Sequence, residues 1–361
     1  MTEAPLRTTS PVFQVGGELT RDLARDCLAL DVQEDVAGLR RLEASFLAVG
    51  AGATGPQATL LYLDGRTIDL GSELKVALGG DDEQRFVFEG TVSAIELVLD
   101  NGEPPRVVVL AEDALMGLRM TRRLRTWVQV TDADLASGIA SEHGLQADTA
   151  VDGPTYDVVQ QLNQSDLAFL RERARLVQAE IWCTGRTLHF RTRPRRQTTE
   201  VTLVLGRDLL SARLCADLAH QRSEVHVSGY DADQKQVVDE RAGPDAVTAE
   251  SGGGRTGADL VDRALGTATT LRVREAPLTS AEASAWAAAE MLRRGRRFVT
   301  VSGETNGTPD MIVGTRLNLD GVGEPFQGDG YYVTGIQHRF DLRRGFRTSF
   351  RAERATLNEV R

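Results

Sequence analysis

From Pro11 to about Val130 the chain alternates short apolar stretches with Gly, Asp and Asn turns. That pattern confines the segment to a few solutions, because brief apolar runs between tight turns build antiparallel strands that close into a small barrel or sandwich. The runs are Cys27-Leu28-Ala29-Leu30-Asp31-Val32, Leu60-Leu61-Tyr62-Leu63, Glu73-Leu74-Lys75-Val76-Ala77-Leu78, Phe86-Val87-Phe88-Glu89-Gly90, Val92 to Leu99, and Arg106-Val107-Val108-Val109-Leu110-Ala111. A basic patch follows, Arg119, Arg122, Arg123 and Arg125, which reads as a solvated or subunit-facing rim.

The pattern then changes. Thr131 with Asp134 three residues later opens a helix as an acidic capping-box variant, Leu135, Ile139 and Ala140 share one face, and Gly144 stands where a left-handed cap is wanted. Tyr156 to Leu162 reads as a short helix, and Ser165-Asp166 starts another whose Leu167, Leu170, Ala174 and Val177 have the spacing of one buried face. Glu180 to Cys183 and Thr187 to Arg191 flank Thr184-Gly185-Arg186 as a hairpin.

A second β-rich section starts near Glu200 and is interrupted from about Gln234 by a polar excursion containing Gly252-Gly253-Gly254. The excursion is too long for a plain loop in a compact domain and offers little burial, so the expectation is an arm ordered by a neighbour. It ends in a helix capped by Thr279 with Glu282, and strand sequence resumes at Val299. The expected fold is mainly β with an α+β insertion: two similar small antiparallel β-barrel domains plus a helix-hairpin α/β domain. Along the chain this gives a first barrel over 1–130, an α/β domain over 131–198, and the first part of a second barrel over 199–233. An insertion or arm over 234–297, with a helix at 280–294, precedes the second part over 298–361.

Composition removes several classes of function. The net charge of −10 argues against nucleic acid, which needs clustered surplus cations. No apolar run of membrane-spanning length exists and the start, Met1-Thr2-Glu3-Ala4-Pro5, lacks a signal-peptide pattern, so the expectation is synthesis in the bacterial cytoplasm without membrane insertion. Cys27, Cys183 and Cys215 are scattered and odd in number, and read as buried free thiols with neither a disulfide frame nor a metal knuckle. His338 with Asp341, or His220 with Asp217, can be drawn as acid–base pairs, and Asp81-Asp82-Glu83 as carboxylates for a cation. No Gly-x-Ser-x-Gly elbow, His-Glu-x-x-His, Walker loop or dinucleotide fingerprint accompanies them, so no catalytic, cofactor-binding or metal-binding residue is assigned and no cofactor is expected.

Several segments, in order, resemble a known family. Asp132 to Ala140 with Gly144-Leu145, then Gln161-Leu162-Asn163-Gln164-Ser165-Asp166-Leu167-Ala168-Phe169-Leu170 and the hairpin behind it, look like the middle of phage late control D proteins and VgrG-type hubs. Phe88-Glu89-Gly90-Thr91-Val92 is similar to the family's Phe-x-Gly strand. Gly307-Thr308-Pro309-Asp310-Met311-Ile312-Val313-Gly314, Gly328 to Thr334 and His338-Arg339-Phe340-Asp341 resemble its closing run. Gly314 follows Val313 where many relatives carry Pro-Gly.

The resemblance implies a structural baseplate hub and not an enzyme. In that family two barrels per chain and three chains form a ring of quasi-six-fold symmetry that joins a hexameric inner tube to a trimeric spike. The implied partners are the chain itself as a homotrimer, the spike protein, the inner tube protein, and baseplate wedge or tube-initiator proteins. The implied place is a phage virion tail or a contractile injection particle, and the end at Arg361 reads as a stand-alone hub without a fused spike. The Arg clusters at 119–125, 191–196 and 293–297 are candidate intersubunit anchors. The alternatives are a baseplate-associated, cell-wall-degrading hydrolase and a carbohydrate-binding adhesin module.

Overall fold

The computed structural model describes residues 10–50, 60–79, 85–251, 253–265, 270–273 and 279–359. Asp81-Asp82-Glu83 and Gly252 lie outside them. The chain divides into two compact units, one built from Met1–Met116, Glu304–Val313 and Gly335–Phe350, the other from Gly117–Gly303, Gly314–Thr334 and Arg351–Arg361. Each unit is thus assembled from separated pieces of chain, whereas the boundaries expected from sequence run linearly.

The first unit is an antiparallel sheet. Residues 335–341 pair with Cys27–Asp35, which pairs with Arg41–Leu47, followed across the sheet by Arg106–Glu112, Arg85–Val98, Glu73–Leu78 and Val12–Val15. The strands form because their side chains alternate. Arg41–Leu47 buries Leu42, Ala44 and Phe46 and turns Arg41 and Glu43 outward. Register then stacks like on like, with Val32 opposite Leu42, Ala44 opposite Val109 and Val76 opposite Phe88. One core collects Phe13, Leu30, Phe46, Phe88, Val109 and Phe340, and Phe13 meets Phe46 edge-on at 5.3 Å between ring centres. Leu60 to Leu63, expected as a strand, forms only a bridge from Leu60 to Val49. Tyr62 takes a positive φ of 67° there and its hydroxyl donates to Asp26, which fixes a turn.

The second unit is α+β. Helix Asp132–Glu142 has the expected capping box, with Thr131 Oγ1 accepting Asp134 N and Asp134 accepting Thr131 N, and Gly144 follows at φ 65°. Helix Asp166–Val177 buries Leu167, Leu170, Ala174 and Val177, and the hairpin Ala179–Thr184/Thr187–Thr192 follows. Strand Gln146–Ala150 joins that hairpin in parallel. Helix Ser280–Arg296 starts at Thr279, whose side chain accepts Glu282 N. No helix among the described residues is long and apolar enough to cross a membrane.

Two expectations need correction here. Tyr156 to Leu162 is not a helix but part of strand Tyr156–Ser165, paired antiparallel with Arg122–Val130. Its burial alternates residue by residue from Val158 to Leu162, a period of two that a helical face cannot satisfy. The excursion after Gln234 does not wait for a neighbour over its described length. Gln236–Ala242 pairs with Glu224–Asp231, Thr270–Val273 adds a parallel strand, and Val247 and Ala258 join Val225 and Met291 in a buried cluster. Sparse apolar residues placed at the right positions suffice because helix Ser280–Arg296 covers the sheet. Gly254, at φ 93°, permits a close approach: a Cβ there would lie 2.6 Å from the Leu357 carbonyl oxygen.

Candidate interaction surface

The residues that carried the resemblance are fold-forming devices. Gly90 sits opposite Leu74, and a Cβ there would lie 2.2 Å from the Glu112 carbonyl oxygen, so only glycine lets these strands meet. Gly307, at φ 87°, is under the Phe346 ring, where a Cβ would lie 2.6 Å away. Thr348 Oγ1 accepts Thr308 N at 2.9 Å and lies 2.9 Å from His338 Nδ1. His338 is fully buried, and that burial, with the nearby Arg40 charge, pushes it down to about 3, so the ring is neutral. The acid–base pairs drawn from sequence do not form: Asp341 accepts the N–H groups of Arg343 and Arg344, and Asp217 accepts Ala219 N. Of the three thiols, Cys27 and Cys183 are buried but Cys215 is exposed, contrary to expectation.

In the second unit Ser165 caps its helix while Asp166, 1 % exposed at the side chain, gathers donors from three elements. His143 Nε2 lies at 2.8 Å, Gln161 Nε2 at 2.8 Å and Arg123 Nε at 2.9 Å. Burial alone would raise this carboxyl, but those three partners overcome it and hold it below the ordinary carboxylate range. Tyr332 donates to Glu180, which also accepts from Arg193 and Arg196. The arginines expected to anchor neighbours are therefore largely engaged within the chain. Arg125 forks onto Glu142, Arg193 also reaches Glu353, Arg293 and Arg294 hold Glu290, and Arg296 holds Glu250. A cleft of about 650 Å³ lined by Arg193, Arg296, Tyr332, Glu353 and Arg354 is satisfied in the same way, since Arg354 donates to four backbone carbonyls.

What stays unsatisfied is apolar. Arg122–Val130 and Tyr156–Ser165 form a two-stranded ribbon with Leu124 opposite Leu162, Thr126 opposite Gln160 and Val128 opposite Val158. These six point outward; Leu124 is 77 %, Val128 63 %, Leu162 62 % and Val158 45 % exposed. The inner face is pinned through Arg123, Arg125 and Gln161, with Trp127 close against Gly138. Sequence reading missed this surface by assigning one strand as helix and the other as a basic rim. The available signal was the alternation Leu124-x-Thr126-x-Val128 against Val158-x-Gln160-x-Leu162.

The fold is that of tail proteins. The 43 kDa tail protein of prophage MuSo2 from Shewanella oneidensis is 15 % identical and superposes with a TM-score of 0.66 over 96 % of this chain and 98 % of its own. A tail protein from Neisseria meningitidis MC58 is 13 % identical, with a TM-score of 0.63 and 96 % of both chains covered. The E. coli c3393 protein, a type VI secretion component described as similar in structure to the T4 tail proteins gp27 and gp5, is 13 % identical, with a TM-score of 0.55 over 91 % of this chain and 73 % of that one. No curated protein matches the chain. A family model described as the Alg8 N-terminal domain, a description different from late control D or VgrG, matches residues 57–341. With most of its length inside that model, this mainly β chain with a phage-tail fold belongs to the Alg8 N-terminal domain family.

Proposed function

We propose that the chain is a structural baseplate hub of a contractile tail or tail-derived injection system, of the late control D and VgrG type. Three copies close a ring whose two β-rich units per chain present quasi-six-fold symmetry to a hexameric inner tube and three-fold symmetry to a trimeric spike. Wedge or tube-initiator proteins dock around it. The observation that carries this reading is the likeness in fold to tail proteins along nearly the whole length of both chains. The ordered run of motif-like segments agrees with it. A closed ring needs head-to-tail contacts whose rotation closes, and obligate contacts of this kind are apolar at their centre.

The role is structural and not catalytic. The groups drawn as acid–base pairs are committed elsewhere: His338 to Thr348, Asp341 and Asp217 to backbone N–H groups of their own turns. Multi-angle light scattering on the purified protein, alone and with its spike and tube proteins, tests the assembly. The expected mass is three times that of the chain, and a monomer in the presence of both partners refutes the reading.

A further inference from the structure

The ribbon of Arg122–Val130 and Tyr156–Ser165 is rigidly held on one face and bare on the other. Among the described residues each strand has only the other as its strand partner, so the outer backbone edges pair with nothing in this chain's sheets. Exposed strands of natural proteins are guarded by Lys, Pro or charge. Here the six outward residues, Leu124, Thr126, Val128, Val158, Gln160 and Leu162, include none of these. With Met120 also two-thirds exposed at its end, the stripe offers on the order of a few hundred Å² of apolar surface, the scale of the largest, often functional, patch on a monomer.

The identity of the occupant follows from charge. A chain of net charge −10 approaches an identical copy against like-charge repulsion. A face without carboxylates is where that repulsion is least and where desolvation costs no charged group. An acidic or basic partner, by contrast, would find nothing on the stripe to pair with. Resting on the hub reading above, we propose that this face docks a second copy of the same chain, with Leu124, Val128, Val158 and Leu162 at the centre of the contact between neighbours in the ring.

Two measurements test it on the full chain, with the spike protein present if the wild type needs it to assemble. Leu124→Asp with Leu162→Asp, on side chains that touch little within the chain, is expected to leave the melting temperature unchanged and to weaken self-association at least ten-fold in sedimentation equilibrium. Thr126→Cys, in a Cys215→Ser background that removes the exposed native thiol, is expected to react rapidly with a maleimide when dilute and slowly when assembled. This second readout stands even if the double Asp variant fails to fold. An oligomer of unchanged affinity, or one whose Thr126→Cys thiol stays fully reactive, overturns this assignment while the hub reading survives. Protection that appears only when spike or tube protein is added to an already formed oligomer also overturns it, in favour of another occupant. A wild type that is monomeric with all partners present removes the hub reading and this one together.

Discussion

Replacing Asp166 by Ala removes the acceptor on which Arg123, His143 and Gln161 converge. Deleting one side of a buried ion pair typically costs about 3–5 kcal/mol, because the remaining charge is left without a partner. Arg123 and His143 keep some water access, with 32 % and 17 % of their side chains exposed, so part of that cost is recovered by hydration. An expected loss of about 2–4 kcal/mol follows, most of it from the stranded cation and the orphaned amide of Gln161. Urea titration followed by near-ultraviolet circular dichroism reads it as a lower midpoint at unchanged slope. The sign with pH is fixed as well. Because the folded carboxyl titrates below its unfolded value, its stabilisation is fully present above the unfolded value of about 3.9 and is lost as pH falls further. The difference between wild type and variant should therefore be constant from pH 5 to 8, by that same linkage, and shrink only in stronger acid. A loss below about 0.5 kcal/mol at neutral pH, the range of ordinary surface changes, would refute the argument. So would a difference that grows on acidification.

Leu170→Asp puts a charge on the fully buried face of the same helix and should cost about 3 kcal/mol or more, read as a lowered melting temperature; a change within experimental error would place that face in solvent. In the first unit two buried groups oppose each other. His338, pushed down to about 3, loses stability as pH falls below about 6.5, whereas Asp113, pushed up to about 6 by burial, gains stability as pH falls from there towards about 4. Asp113→Asn should therefore steepen acid destabilisation and His338→Gln should flatten or invert it, and melting curves from pH 7 to 4.5 that tilt the same way for both would contradict this pairing. Replacing Gly243 to Gly257 by a Gly/Ser linker removes Val247 from its cluster with Val225 and Met291; a clear drop in melting temperature is expected, and an unchanged one would restore the arm reading for that segment.

What the sequence determined by itself is what lies close along the chain. Capping boxes at Thr131 and Thr279, the buried stripe of Leu167, Leu170, Ala174 and Val177, the hairpin around Gly185 and most strands of the first unit are set by local periodicity and turn chemistry. Tertiary structure decided the rest, because the deciding partners are distant in sequence. Tyr156 to Leu162 has a pattern short enough to serve as either element, and pairing with Arg122–Val130 settles it as strand. Residues after Gln234 looked too polar to hold themselves, yet Val238, Val247 and Ala258 are buried because strand Glu224–Asp231 and helix Ser280–Arg296 meet them. The outward stripe of the ribbon is invisible along the chain for the same reason. An apolar residue in a strand reads alike whether it faces core or solvent, and only the packing of the opposite face onto Asp166 and Glu142 leaves Leu124 and Leu162 in water.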